Sequence, residues 1–406
     1  MPDRQTSRTG VSRRRLLSGG AAALGATGIG AAALTAARAP AHGVAEFGSE
    51  TVPFHAPHQA GIATPAQTHA LFVGLDLRPS ATVADAVSVM RLWTADAARL
   101  TAGRPALADT EPELATTPAR LTATVGFGPT LFDRLGLADQ RPASIHPLPP
   151  FGIDRLDPRW GSADLMLHLG CDDPTTLAHA SRVLLKNVRS LTTIRWTQRG
   201  FRTARGAHPD GTTMRNLMGQ VDGTVNPTPG TDLDSVVWSD GADRPWFAGG
   251  TSMVLRRVRI ELDTWDELDP HSRDLSLGRR QSDGAPLTGD SEHDAPDFGA
   301  TTAGVTVIPE NAHIARAHPR TSSERFLRRA YNYDDPPLPG ETSNAGLLFA
   351  AYQRDIDKQF LPVQQRLADA DALNQWITPI GSAVFAIPPG IEVGNYLGHQ
   401  LLEQGR

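Results

Sequence analysis

The chain has 406 residues, 40% of them hydrophobic, 20% charged and 6% aromatic, an ordinary globular balance with room for one large domain or two. A single cysteine, Cys171, excludes a disulfide framework and any multi-cysteine zinc or iron–sulfur site. The formal net charge is −5, yet residues 1–41 carry six Arg against one Asp, so the remainder is distinctly acidic. That acidity argues against nucleic acid as a partner, since phosphate binding needs a concentrated basic surface.

Ser12-Arg13-Arg14-Arg15-Leu16-Leu17 is followed by an uncharged stretch over 19–37 and then Ala37-Arg38-Ala39-Pro40-Ala41. A basic start, an apolar middle and small residues before a cleavage point are the layout of an export signal. The middle is mostly Ala and Gly, too weakly hydrophobic for an anchor, and with the adjacent arginines it resembles a twin-arginine signal over 1–41. That pathway carries folded cargo, so a cofactor inserted before export is expected. The mature chain is expected outside the cytoplasm: extracellular, periplasmic or in the cell envelope, with no membrane span.

Residues 70–77 read as a strand. A helix begins near Thr82, where Thr82 with Asp85 forms a capping box, and Ala86, Met90, Trp93, Ala97 and Leu100 fall on one face. A hairpin-like segment is expected over 124–128. Alternation of Leu165, Leu167 and Leu169 against Met166 and His168 marks the next strand, and a helix follows Asp173-Pro174 with Leu177, Ala180, Leu184 and Val188. After a connector at about 200–215 the order repeats. A strand spans 252–260, a helix lies near Thr264-Trp265, strands occupy 347–352 and 383–387, and 358–367 is helical. Strands and helices in βαββαβ order predict an α+β fold of two ferredoxin-like units, 65–205 and 214–400. The polar, Gly-rich run 278–304 is a long loop, a kind that is often functional.

Three segments hold candidate chemistry. Gly219-Gln220-Val221-Asp222-Gly223 sets an acid in a Gly-flanked turn; Asp222 either faces a ligand or caps its own backbone. His313 and His318 share a segment with Arg316 and Arg320, and are either packed or surface residues or ligands. The stretch 325–335 mixes Arg328, Arg329, Tyr331 and Tyr333 with acids, and its plain reading is a solvated strand or helix edge. Asp290, Glu292 and Asp294 alternate as a calcium loop would, but without its Gly and terminal Glu they read as solvated loop.

Taken in order, these segments resemble the dye-decolourising peroxidase family. The match includes Pro53-Phe54-His55-Ala56-Pro57-His58-Gln59-Ala60-Gly61-Ile62, Val125-Gly126-Phe127-Gly128-Pro129 and Trp196-Thr197-Gln198-Arg199-Gly200-Phe201. It continues through the Gly-Asp-Gly turn, Gly278-Arg279-Arg280 with Gly284-Ala285-Pro286-Leu287, and Gly381-Ser382-Ala383 near the end. The resemblance implies a dimeric α+β barrel of two ferredoxin-like halves holding haem b. It implies His313 as the axial ligand of the haem iron, Asp222 as distal acid and Arg328 as distal arginine, with Leu347 and Phe349 lining the distal face. The turn departs from the family's pattern in reading Gln-Val before Asp222 where many members have Phe-Lys, and Ala330 stands where Gly is common.

The activity implied is reduction of hydrogen peroxide with oxidation of dyes, phenols or other one-electron donors through an oxoferryl intermediate. Small-molecule or macromolecular donors too bulky for a sealed pocket would deliver electrons through surface aromatics, with Tyr331 and Tyr333 the first candidates. An acceptor for the second ring nitrogen of His313 is expected at Asp355 or Glu392. The alternatives are an exported deferrochelatase serving iron uptake, or a non-catalytic haem carrier. A homo-oligomer stays open.

Overall fold

The structure, a computed structural model, describes residues 47–337 and 339–403. The export signal expected over 1–41 lies outside them. The strands are β1 (His69–Leu77), β2 (Thr122–Phe127), β3 (Leu165–Cys171), β4 (Thr192–Phe201), β5 (Thr251–Ile260), β6 (Thr301–Thr302), β7 (Val305–Thr306), β8 (Leu327–Arg328), β9 (Tyr331–Asp335), β10 (Asn344–Gln353) and β11 (Ile377–Ile387). The helices are α1 (Val83–Leu100), α2 (Pro129–Arg134), α3 (Pro174–Val188), α4 (Thr231–Val236), α5 (Leu262–Trp265), α6 (Pro270–Leu277), α7 (His313–Ala317), α8 (Phe360–Ala370) and α9 (His399–Leu402).

Two antiparallel quartets carry the fold. In the first the strands lie in the order β2-β3-β1-β4, and in the second β11-β5-β10-β9. Both are the order of a βαββαβ unit, which is the expected α+β, ferredoxin-like class. β11 meets β2 at Ala386 and Phe127, and β4 meets β9 at Phe201 and Asn332. The two junctions close eight strands into a ring, which removes free sheet edges between the halves.

Closure gives each strand a face on an enclosed core, and on β1, β2 and β3 the other face is buried as well. Along β3, Leu165, Leu167 and Leu169 pack outward beneath α1 and α3, while Met166 joins the enclosed core. That core is filled by Phe72, Trp196, Met253, Leu348, Tyr352 and Phe385. Outside, the Thr82–Asp85 capping box starts α1, its apolar face is buried as the periodicity predicts, and Trp93 Nε1 donates to Leu184 O on α3 at 3.1 Å. Each such large side chain, fully buried, contributes about 1.5–3 kcal/mol.

Two local expectations are corrected. Residues 124–128 are not a hairpin: β2 runs through Gly128 straight into α2, with Pro129 at the first helical position. A Cβ on Gly128 would sit 1.9 Å from Ala163 O, so that glycine serves a close crossing with the neighbouring chain. Nor is 325–335 a solvated edge. β9 is hydrogen-bonded to β10 and β4 together, and Tyr331, Asn332 and Tyr333 are buried. The long loop 278–304 is irregular apart from an Arg279–Pro286 bridge and the start of the β6–β7 hairpin.

Candidate active site

Asp222 sits at the end of a narrow ribbon. Its N–H donates to Met214 O at 2.8 Å, and Arg215 and Val221 form the next bridge. Gly219 at φ +82° and Gly223 at φ +125° adopt backbone angles that side-chain-bearing residues rarely take, which is the freedom the Gly-flanked motif suggests. Arg328 ends β8 and is fixed through its backbone. Asn226 Nδ2 donates to Arg328 O at 3.0 Å, and Arg328 N donates to Asn226 Oδ1, also at 3.0 Å. The Arg328 guanidinium then stands 3.7 Å from the Asp222 carboxylate, an ion pair looser than a hydrogen bond. Both side chains are partly exposed, at 25% and 18%. Each keeps capacity for a further ligand.

A cavity of about 190 Å³ opens beside this pair, lined by Asp222, Arg328, Asn226, Thr213, Met214 and Arg202 among others. Arg202 is a second guanidinium that sequence reasoning missed. Its Nε donates to Ala330 O at 2.7 Å and its charge lies 5.0 Å above the Tyr331 ring. Burial pulls its pKa below the ordinary value, and Asp222 acts against that. The cavity therefore presents two cations and one anion to a small polar molecule.

His313 opens α7. Its Nδ1 and Asp371 Oδ2 are 2.6 Å apart, and Asp371 Oδ1 accepts the Leu373 N–H at 3.0 Å. The carboxylate is 1% exposed and anchored at the end of α8, whereas the imidazole is 28% exposed. Because a carboxylate can only accept, Nδ1 carries the proton and Nε2 presents its lone pair. Burial pushes the His313 pKa down, but the charge and hydrogen bond of Asp371 outweigh it and the net direction is up. Asp222 adds to the rise and Arg328 opposes it, so both lie within electrostatic reach of the ring. The acceptor is thus Asp371. Asp355 instead accepts from Lys358 and the Asp357 and Lys358 amides, and so takes no part at His313, and Glu392 has no bond to it.

Leu347 and Phe349 alternate on β10 with Ala351, which pairs with Arg328 across the β8–β10 register, so the three residues face the side that carries Arg328. Both are half-buried, and Phe349 packs on Phe326 and Phe360. Neither borders the Asp222–Arg328 cavity. Tyr331 and Tyr333 are 0% and 1% exposed, which removes them as surface electron donors. His318 stacks edge-on against Phe298 and caps the end of α7.

The Dyp-type peroxidase N-terminal family profile matches residues 59–202, and the C-terminal profile matches 213–392. The chain belongs to the Dyp-type peroxidase family. This Dyp-type peroxidase is 39% identical over 430 residues to the dye-decolorizing peroxidase of Thermobifida fusca, covering 99% of this chain and 100% of that one. It is 35% identical over 412 residues to the deferrochelatase of Escherichia coli O157:H7, covering 96% and 97%. Among solved structures, a DyP-type peroxidase from Cellulomonas bogoriensis superposes with a TM-score of 0.86 at 54% identity, covering 88% of this chain and 99% of that one. Ferric DtpA from Streptomyces lividans gives 0.85 at 40%, covering 88% and 98%.

It is accordingly a haem-dependent peroxidase, an oxidoreductase that uses hydrogen peroxide and an electron donor. The residues of this Dyp-type peroxidase fit that cofactor. An imidazole with a carboxylate-bound Nδ1 and an open Nε2 is the donor that haem iron takes. The half-buried apolar side chains of Leu347 and Phe349, on the face that carries Arg328, suit an apolar macrocycle.

Proposed function

We propose that His313 would hold haem b through its iron, and that Asp222 and Arg328 are the acid and the cation that act on peroxide. The observation that carries this reading is the Asp222–Arg328 pair at 3.7 Å beside a polar cavity, both charges within electrostatic reach of a carboxylate-braced imidazole. Bound haem would supply the two electrons that reductive cleavage of the O–O bond consumes. The chain's own work is protonic and electrostatic. Asp222 takes the proton from one peroxide oxygen and returns it to the other, which leaves as water. Arg328, whose backbone Asn226 holds in place, stabilises the peroxide anion with its guanidinium charge. Leu347 and Phe349, outside that cavity but on the face that carries Arg328, would give the haem apolar contact. Donors of one electron each, dyes and phenols among them, then restore the resting protein.

Residues 65–205 and 214–400 form the two ferredoxin-like units in this reading, the second holding the haem. The twin-arginine leader over 1–41 directs export, and no helix among the described residues is long and apolar enough to cross a membrane. Stopped-flow mixing of peroxide with the haem-loaded protein tests the roles. Asp222→Asn and Arg328→Ala should each slow the peroxide step by at least about 100-fold while haem content is kept. His313→Ala should lose haem or shift its Soret band. Normal rates in both distal variants would refute the reading. Release of iron-free protoporphyrin in place of donor oxidation would favour a deferrochelatase, as the 35% identical relatives are named.

A further inference from the structure

Glu292 lies in the long loop 278–304, seventy residues beyond Asp222 in the chain, yet its side chain reaches the Asp222 turn. A single carboxylate oxygen, Oε1, accepts the Thr213 hydroxyl at 2.6 Å and the Thr224 hydroxyl at 2.9 Å. These threonines are the two ends of the ribbon that carries Asp222. One step inward from them lies the bond from Asp222 N–H to Met214 O, and next the Arg215–Val221 bridge. Beyond Asp222 the ribbon has no further backbone pairing to keep it closed. Gly223, at φ +125° and without a side chain, offers little resistance to opening at that point.

Glu292 is itself held in place. Arg279 Nη1 donates to Glu292 O at 2.8 Å and to Gly284 O at 2.8 Å. Asp294 Oδ2 accepts the Asp290 and Ser291 amides at 2.8 and 2.9 Å, which folds the loop back on itself just before the glutamate. Of the three acids that read as solvated loop, Glu292 and Asp294 make side-chain contacts, while Asp290 is exposed and contributes only its amide. At the far end of the turn Arg215 donates to Gly219 O and Gln281 donates to Met218 O, and past Thr224 the chain is held to β8 through Asn226 and Arg328. None of these joins Thr213 to Thr224.

We propose that Glu292 is a positioning residue whose carboxylate draws Thr213 and Thr224 together and so holds the Asp222 turn closed against the cavity. Because Thr213 also lines that cavity, opening the clamp would move the cavity wall and the acid together. The kinetic part of this proposal rests on Asp222 acting on peroxide; the structural part does not.

The test uses the haem-loaded protein, with hydrogen–deuterium exchange read by mass spectrometry over residues 211–226 and peroxide kinetics measured alongside. Glu292→Ala should speed exchange in that segment, and slow the peroxide step, each by at least about tenfold, since two hydrogen bonds to a charged group are lost. Glu292→Gln keeps an acceptor oxygen and should restore both to within about twofold. The Thr213→Val/Thr224→Val pair should reproduce Glu292→Ala, and adding Glu292→Ala to it should change nothing further. Unchanged exchange in Glu292→Ala, or equal damage in Glu292→Gln, overturns the clamp. If Glu292→Ala does not fold, the threonine pair decides in the same way. If Asp222→Asn leaves the peroxide step intact, the role of Asp222 falls while the clamp is still judged on exchange.

Discussion

In the role proposed for His313, its pairing with Asp371 would set how strongly the imidazole binds haem iron. A buried carboxylate at 2.6 Å makes the ring more basic and fixes which nitrogen carries the proton. Asp371→Asn keeps an acceptor but removes the charge. Haem titration of the apoprotein, followed at the Soret band, should show affinity about 10–100-fold weaker near pH 8. The pH dependence has a definite sign. With the His313 pKa raised above 6.5, the apoprotein ring is protonated as pH falls through that raised value, and haem must then displace a proton. Affinity should therefore drop on the acid side, and in Asp371→Asn the drop should begin at lower pH. An onset that does not move would show that Asp371 does not tune the ring. No signal in the sequence singles out Asp371, because the pairing joins residues 58 apart through the packing of α7 against α8. The turn that carries Asp222 is more legible, because Gly219 and Gly223 of its own short motif build it, whereas Arg328 is placed by Asn226, 102 residues away.

At the scale of elements, those whose burial is set by neighbours in sequence are readable, and those set by distant strands are not. Thr82 and Asp85 cap α1 as their spacing predicts, and α3 starts at Asp173-Pro174. β4 gives no such pattern. Its enclosed face carries Trp196, Gln198 and Gly200 while Ile194, Thr197 and Arg199 point out, so polarity does not alternate with burial. Gln198 is inside because Arg257 from β5 meets it there, and Gly200 because Tyr331 and Leu348 leave no room. Gly346 on β10 makes the same argument testable. A Cβ there would lie 2.1 Å from Val258 O and 2.5 Å from the Tyr333 ring, between backbone and a buried aromatic that cannot yield. Gly346→Ala should cost at least about 1–3 kcal/mol and lower Tm by at least about 3 °C. An unchanged Tm would mean that β5, β9 and β10 are packed less tightly than the ring requires.

The closed ring encloses groups that a flat sheet would leave to water, and this sets how the whole molecule responds to acid. His168 is 0% exposed, stacked at 4.2 Å on Phe72, and neither ring nitrogen has a hydrogen-bond partner. Burial, with Arg329 acting in the same direction, holds its pKa well below 6.5, so the folded protein keeps the ring neutral. The unfolded chain protonates it at about pH 6.5. Above that pH both states are neutral and His168 has no effect on the balance. Below it the unfolded state binds a proton that the folded state refuses, so stability falls as pH falls, by about 1.4 kcal/mol per pH unit. Removing the group while keeping apolar volume separates this from every other titration. Between pH 7.5 and 5.5, His168→Leu should lose less Tm than the parent, the difference widening below pH 6.5. If the two curves run parallel, the barrel interior admits a proton at His168 despite burial and the repulsion of Arg329.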